Sequence, residues 1–455
     1  MKEHVIVIFD IGKTNKKLLL FNTELKVVYE TEVKFAPAKD DDGFECDNIE
    51  LIENWIRETV LELVNSRKYE IDGINFTTYG ATLVYLDTQG RRLGPVYNYL
   101  RPIDESIPEL LYKRFGGRDE FCRRTASPAL GMLNSGNQAL WLKTVKPSVF
   151  SKVKHILHFP QYLSYLITGK IFSEHTSIGC HTALWDFDNM SYHPWVGEEG
   201  LKVPYPVSAD TTTEVILNGK KVKVGIGLHD SSASLVPYFA SKRGKFLLIS
   251  TGTWCINMNP FNRETLTSDQ LSKDCLCYLS ITKQPVKASR LFMGHMHDTA
   301  VKMMSDYFKI HENSFSLIKP DLRLLNKLRK MFDDDTIFTG GGVHSNLLKE
   351  DAELFGFDNF IEGYHQLMVE LSDLAVDSIN LVIPEDDDIS NIFITGGFSK
   401  NLLFLKMIAS SFPEKKIFTS EISNASALGA ASIISGSVAG KRVPLPDLGL
   451  IEVEL

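Results

Sequence analysis

Asp10 closes an apolar run, residues 5–9, and opens onto Ile11-Gly12-Lys13-Thr14-Asn15-Lys16-Lys17. A carboxylate followed by glycine and by hydroxyl, amide and amine donors suits a phosphate group. Backbone N–H groups of such a turn, with Gly12, Lys13, Thr14, Asn15 and Lys17, could meet phosphate oxygens while Asp10 holds a hydrated magnesium ion. A hairpin turn with a capping aspartate would read the same way. Ser250-Thr251-Gly252-Thr253 repeats the pattern, and there too glycine lets the backbone approach an anion. Two such turns allow donors to converge on a transferred phosphoryl group from both sides.

Between the turns lies Val224-Gly225-Ile226-Gly227-Leu228-His229-Asp230-Ser231-Ser232. Asp230 follows an apolar, glycine-bearing strand and precedes small residues typical of a packed helix start. It could cap that helix, or it could accept the proton of a substrate hydroxyl as that oxygen attacks phosphorus. Gly396-Gly397, ahead of another helical pattern, could let an adenine and ribose lie against the backbone, with Ser399 and Asn401 as polar contacts. No GxxxxGKS/T run is present, which argues against a P-loop, and no GxGxxG supports a dinucleotide site. The run Thr339-Gly340-Gly341-Gly342-Val343-His344-Ser345-Asn346 precedes an irregular charged stretch and reads as a loop.

The elements that must position these groups follow from periodicity. Residues 4–22 read as strand, tight loop, strand, and residues 245–258 repeat that grammar. Each hairpin heads about half of the chain, so the expectation is two related α/β domains, 1–241 and 242–455, with the boundary in the polar stretch Ala240-Ser241-Lys242-Arg243-Gly244. Residues 49–65 and 364–383 carry helical apolar spacing, and residues 74–78 read as a strand. Strand 392–394, helix 401–412, strand 417–418 and a small-residue helix 425–434 follow.

Bulk properties agree with a two-lobed globular enzyme. At 455 residues the chain exceeds what one core normally organises, so two domains of roughly 200 residues are natural. A net charge of -8 argues against nucleic acid as the main partner. The N-terminal apolar run is too short for a signal peptide, and no stretch has membrane length, which points to the cytoplasm. Six cysteines form no disulfide framework, and Cys275 and Cys277 lack a second ligand pair at zinc spacing. The acidic runs Asp40-Asp41-Asp42, Asp333-Asp334-Asp335 and Asp386-Asp387-Asp388 read as solvated loops.

Taken in order, these segments resemble the FGGY family of carbohydrate kinases within the actin-like ATPase superfamily. Asp10-Ile11-Gly12-Lys13-Thr14-Asn15 looks like the first phosphate motif, Ser250-Thr251-Gly252-Thr253-Trp254 like the second, and Thr395-Gly396-Gly397-Phe398-Ser399-Lys400-Asn401 like the adenosine motif. Ala425-Ser426-Ala427-Leu428-Gly429-Ala430-Ala431 is similar to the helix that follows. The resemblance implies an α/β fold of two actin-like, ribonuclease H-like domains with a nucleotide cleft between them. It implies ATP and magnesium, Asp230 as catalytic base and Asp10 as the carboxylate that works with the metal.

His229-Asp230 and Gly252-Thr253-Trp254 look most like the rhamnulokinase and fuculokinase branch, and Thr78, Tyr79 and Gly80 like its sugar-binding loop. The implied acceptor is a small ketose such as L-rhamnulose or L-fuculose. Asn98 and Arg101 fall where the branch shows a different polar pattern; with Thr78, Tyr79, Gly80, His229 and Asp230 they complete the expected substrate set. Lys13 replaces a small or hydroxyl residue, and Thr82 replaces an aspartate. The alternatives are an actin- or chaperone-type ATPase module and a sugar sensor without catalysis. The sequence leaves the oligomeric state open; homodimers are common among similar kinases, and symmetric assembly is the default for oligomers.

Overall fold

The computed structural model describes the chain apart from residues 1, 242, 333–335, 341–347, 350–353, 421, 423, 442 and 455. The acidic run 333–335, most of the glycine-rich run 339–346 and Lys242 of the expected boundary therefore lie outside the described residues.

Two seven-stranded mixed sheets are built by the same rule, one in each half. In the first, Glu3–Ile11 pairs antiparallel with Lys16–Phe21 and parallel with Tyr69–Thr78. In the second, Phe246–Thr251 pairs antiparallel with Cys255–Asn259 and parallel with Asn391–Gly396. Each hairpin gains a third antiparallel strand, Val27–Val33 in one case and Pro285–Leu291 in the other. A central strand covered on both faces cannot alternate polar and apolar residues. Val5, Ile6, Val7, Ile8 and Phe9 are accordingly all buried, and each such side chain contributes roughly 1.5–3 kcal/mol.

The expected helices form with small shifts of their ends: Ile49–Val64, Phe360–Asn380, Leu402–Ser411 and Ala425–Ala439. Asn401 stands just outside its helix, where its side chain accepts the Phe404 N–H at 3.2 Å. A separate helical layer, with Ser106–Arg114, Arg118–Arg124 and Ser135–Val145, rests on its own core around Tyr97, Trp141 and Trp195.

The halves exchange helices at their junction. The short helix Val236–Phe239, from the end of the first half, lays Tyr238 on Phe393 of the second sheet, with ring centroids 5.3 Å apart. In return, Ala425–Ala439 packs Ala427, Ala430, Ala431 and Ile434 against Ile6, Ile8 and Leu19 of the first sheet. Small residues are required there because the approach is so close: a Cβ on Gly429 would stand 2.0 Å from the Ala233 carbonyl oxygen. Asn75 adds a hydrogen bond from its Nδ2 to the Ala430 carbonyl at 2.9 Å. The final helix thus belongs in space to the N-terminal sheet, although the chain division at 241/242 assigns it to the other half.

Among the described residues no helix is long and apolar enough to cross a membrane. The six cysteines are buried free thiols. Two of the acidic runs are more than solvated loops. Asp40 is buried and paired with Arg101 at 2.5 Å, Lys146 pairs with Asp41 at 2.6 Å, and Asp387 and Asp388 pair with Lys415 and Lys245.

Candidate active site

Asp10 and Asp230 come to the junction from different elements. Asp10 is the penultimate residue of Glu3–Ile11, and Asp230 is the first residue of the short helix Asp230–Ser234, placed there by Leu228–His229 pairing with Thr77 and Thr78. His229, not Asp230, occupies the cap position, so the capping alternative does not describe Asp230. Its Oδ1 accepts the Ser231 N–H at 2.6 Å. Asp10 accepts the Ser426 hydroxyl at 2.9 Å from the last helix.

The two carboxylates feel each other. Burial, and then the charge of Asp230, pushes Asp10 up to about 7, against a smaller pull from Ser426 and Lys17. Burial raises Asp230 to about 6 despite its bonds to Ser231. His229 Nε2 lies 3.3 Å from Asp230 Oδ1 and 3.0 Å from Cys180 Sγ. Burial drives this imidazole down to about 3, so it is neutral and its contact with Asp230 is not an ion pair. Among the described residues nothing cationic in direct contact quenches the basicity of Asp230.

The first turn divides its work. Gly12 and the exposed Thr14 remain at the cleft. Lys17 reaches Asn424 at 3.0 Å and Glu30 at 3.3 Å while staying close enough to bias Asp10. Asn15 Oδ1 is buried with no donor among the described residues. A hydrated divalent cation fits this donor set, because its waters offer protons to a carboxylate and to an orphan amide oxygen. Lys13 departs from expectation. Its ammonium turns from the phosphate side to Asp47, at 2.6 Å from Oδ2.

In the second turn, Thr251 ends the strand and its hydroxyl is committed: it donates to the Thr395 carbonyl at 2.6 Å and accepts the Phe398 N–H at 3.0 Å. It clasps the two turns of the C-terminal half together, and Gly252, Thr253 and Trp254 are the exposed residues of this bend. Arg290 joins the bend to the catalytic region. Its guanidinium lies 5.5 Å over the Trp254 ring, and its charge acts on Tyr278 together with that of Asp230.

In the third turn, Gly396 has φ +89° and a Cβ there would fall 1.7 Å from the Thr251 carbonyl oxygen, whereas a Cβ on Gly397 would meet open space. Ser399 and Asn401, expected as nucleotide contacts, are internally bonded. Ser399 donates to the Gly396 carbonyl at 2.7 Å, and Asn401 donates to the Tyr364 hydroxyl at 2.8 Å while capping its helix.

The expected substrate set separates as well. Tyr79, Gly80 and His229 line one small cavity with Thr82, His158 and Phe159. The Thr78 hydroxyl is spent on the Tyr79 carbonyl at 2.8 Å. Asn98 holds its own turn through the Leu100 N–H at 3.0 Å. Arg101 is withdrawn from the cleft: it pairs with Asp40 and Asp42 and stacks 4.3 Å over Trp141. The expectation that it contacts substrate is corrected by this buried pairing. Tyr99, two residues earlier, feels the charges of Asp47 and Asp230 and meets Tyr79 edge to face, and its aromatic type was the available signal. Asp47 and Ser426 carried no local signal of their role.

Residues 5–198 match the FGGY family of carbohydrate kinases, N-terminal domain. That match lies in the N-terminal half of the chain and ends at residue 198. A rhamnulokinase of Yersinia pestis (strain Pestoides F) is 27% identical over 270 residues, which cover 55% of this chain and 53% of that protein. The chain thus spans about half the length of the curated relatives it matches. A carbohydrate kinase from Novosphingobium aromaticivorans superimposes with a TM-score of 0.82 at 22% identity, over 100% of this chain and 95% of the other. A ligand-bound xylulose kinase from Lactobacillus acidophilus gives 0.75 at 15% identity, over 99% and 93%. These likenesses show the fold: the chain shares the two-domain architecture of those structures.

Proposed function

We propose that this protein is an ATP-dependent kinase that phosphorylates a small sugar, with a ketose such as L-rhamnulose or L-fuculose as acceptor. The observation that carries the reading is the pair of half-buried carboxylates, Asp10 and Asp230, set where the two halves exchange helices, both raised and one raised by the other. Residues 1–241 would supply the sugar and phosphate contacts and residues 242–455 the nucleotide contacts.

In this reading Asp230 accepts the proton of the attacking hydroxyl, and the neutral His229 beside it leaves the carboxylate basic. Asp10 and Asn15 would hold a hydrated magnesium ion, which supplies charge neutralisation along the triphosphate. Backbone groups at Gly12, Thr14, Gly252 and Thr253 position the phosphates, with Lys17 nearby. The open face of Gly397 receives the nucleoside. The likeness to proteins named rhamnulokinase favours a ketose, while Thr82, in place of an aspartate, removes one acceptor for sugar hydroxyls.

The test is ATP consumption measured against L-rhamnulose, L-fuculose, L-ribulose, D-xylulose and matching polyols. Sugar-dependent turnover that vanishes in Asp230→Asn supports the reading. ATP hydrolysis indifferent to every sugar would favour the ATPase-module alternative, and sugar binding without turnover the sensor.

A further inference from the structure

Lys13 sits in the phosphate turn by its backbone and in another place by its side chain. Its ammonium lies 2.6 Å from Asp47 Oδ2 and 5.2 Å from the ring centroids of both Tyr79 and Tyr99. The two rings meet edge to face at 6.0 Å, and Tyr79 also packs on Phe159 at 5.5 Å. Tyr79 and Phe159 line the cavity that holds His229, and burial, then Asp47 and Asp230, raise the Tyr99 phenol. The aromatic pair therefore runs from the cavity beside His229 to Lys13.

Donor bookkeeping decides what Lys13 is free to do. Asp47 has partners besides Lys13: Oδ2 takes the Lys13 ammonium and the Tyr79 hydroxyl at 2.7 Å, and Oδ1 takes Lys16 at 3.4 Å. Lys16 is buried and also bonds the Lys13 carbonyl at 2.8 Å, so Asp47 is already neutralised without Lys13. An ammonium has three N–H donors, and Lys13 has spent one on Asp47. Its side chain is 30% exposed. At position 82, in the cavity that Tyr79 lines, stands a hydroxyl and not a carboxylate, and it donates to the Gly80 carbonyl at 3.2 Å.

Resting on the kinase reading, we infer that Lys13 is a specificity-determining residue that donates to an acceptor oxygen of the sugar, not to the phosphates of ATP. The two tyrosine rings confine the ammonium, and desolvation strengthens the bond it makes. The substrate class this selects carries a carbonyl or carboxylate oxygen at the end of the molecule remote from the phosphorylated hydroxyl. A sugar presenting only hydroxyls there would be held less well.

The test is Lys13→Met, which keeps the length of the side chain and removes its donors. Loss of one charge-assisted bond should raise KM for the best sugar about 10- to 100-fold and leave KM for ATP within about twofold. An unchanged sugar KM, or a rise confined to ATP, overturns the inference. Sugar-induced thermal stabilisation, measured without nucleotide, separates this from the kinase reading. Stabilisation of the wild type that is lost in Lys13→Met upholds Lys13 even if no turnover is found. Equal stabilisation of both proteins defeats it, and a wild type that no sugar of the panel stabilises or converts defeats both.

Discussion

Ser426 donates its hydroxyl to Asp10 across 2.9 Å, tying the last helix of the chain to the end of its first strand. This is the only hydrogen bond the Asp10 carboxylate receives from a side chain among the described residues, and it opposes the rise caused by burial and Asp230. Ser426→Ala should therefore move Asp10 further upward and carry the acid limb of the pH–rate profile with it, by about half a pH unit to one unit. A limb that stays in place would separate Asp10 from the rate.

Asp230→Asn keeps the volume of the side chain and removes its capacity to accept a proton. Sugar phosphorylation should fall about a thousandfold, within the range general-base catalysis contributes. Nucleotide affinity, read by calorimetry with ADP, should change by no more than about threefold, because no proposed nucleotide contact involves Asp230. Near-normal turnover would remove Asp230 from the role of base.

The pH dependence follows from the same pair. In the proposed mechanism both carboxylates act ionised, and burial holds Asp230 at about 6 and, with the charge of Asp230, Asp10 at about 7. Sugar-dependent kcat/KM should be level above pH 8, begin to fall as pH drops through 7, and fall more steeply below 6 as the second proton binds. Extra magnesium should shift the upper part of this limb to lower pH, since a cation at Asp10 favours its ionised form. A profile flat from pH 8 to 5.5 would contradict the assignment.

Stability should run against activity at Asp10. Its folded-state value, about 7, lies above the ordinary 3.8, so the native state holds a proton that the unfolded chain releases. The ionised form therefore costs stability: the cost is absent below pH 4, grows between 4 and 7, and is complete above 7. Asp10→Asn should raise the melting temperature at pH 8 by about 2 to 5 °C, lose that advantage at pH 4, and abolish turnover. Equal melting temperatures at both pH values would mean that burial does not strain this carboxylate.

Much of this architecture was legible because it is local. The non-alternating run from Val5 to Phe9 announced a strand buried on both faces, and the repeated hairpin at Phe246–Thr251 announced the second lobe. What sequence could not reach was side-chain direction. Arg101 and Asn98 lie in a polar loop that reads as a substrate wall, yet Arg101 is drawn into Asp40 and Trp141, contacts 61 and 40 positions away. Thr251, Ser399 and Asn401 have the right types for ligand contact and are consumed by other groups of the C-terminal half, Thr251 by Thr395, Ser399 by Gly396 and Asn401 by Tyr364. Asp47 is invisible in its own segment because its role depends on three partners, Lys13, Lys16 and Tyr79, brought in by other strands.

The glycine pair at 396 and 397 offers a sharp contrast between two adjacent and chemically identical residues. Gly396 combines φ +89° with a Cβ position 1.7 Å from the Thr251 carbonyl oxygen. Any side chain there breaks the clasp that Thr251 makes with Thr395 and Phe398, so Gly396→Ala should lose about 3 kcal/mol or more of stability. Gly397 has neither constraint, and Gly397→Ala should melt like the wild type. A larger residue at 397 should act only on the ligand: Gly397→Val fills the open face against which the nucleoside is proposed to lie. It should raise KM for ATP about tenfold or more, with KM for sugar nearly unchanged and the fold intact by circular dichroism. If Gly397→Val binds ATP as the wild type does, the nucleoside lies elsewhere in the cleft.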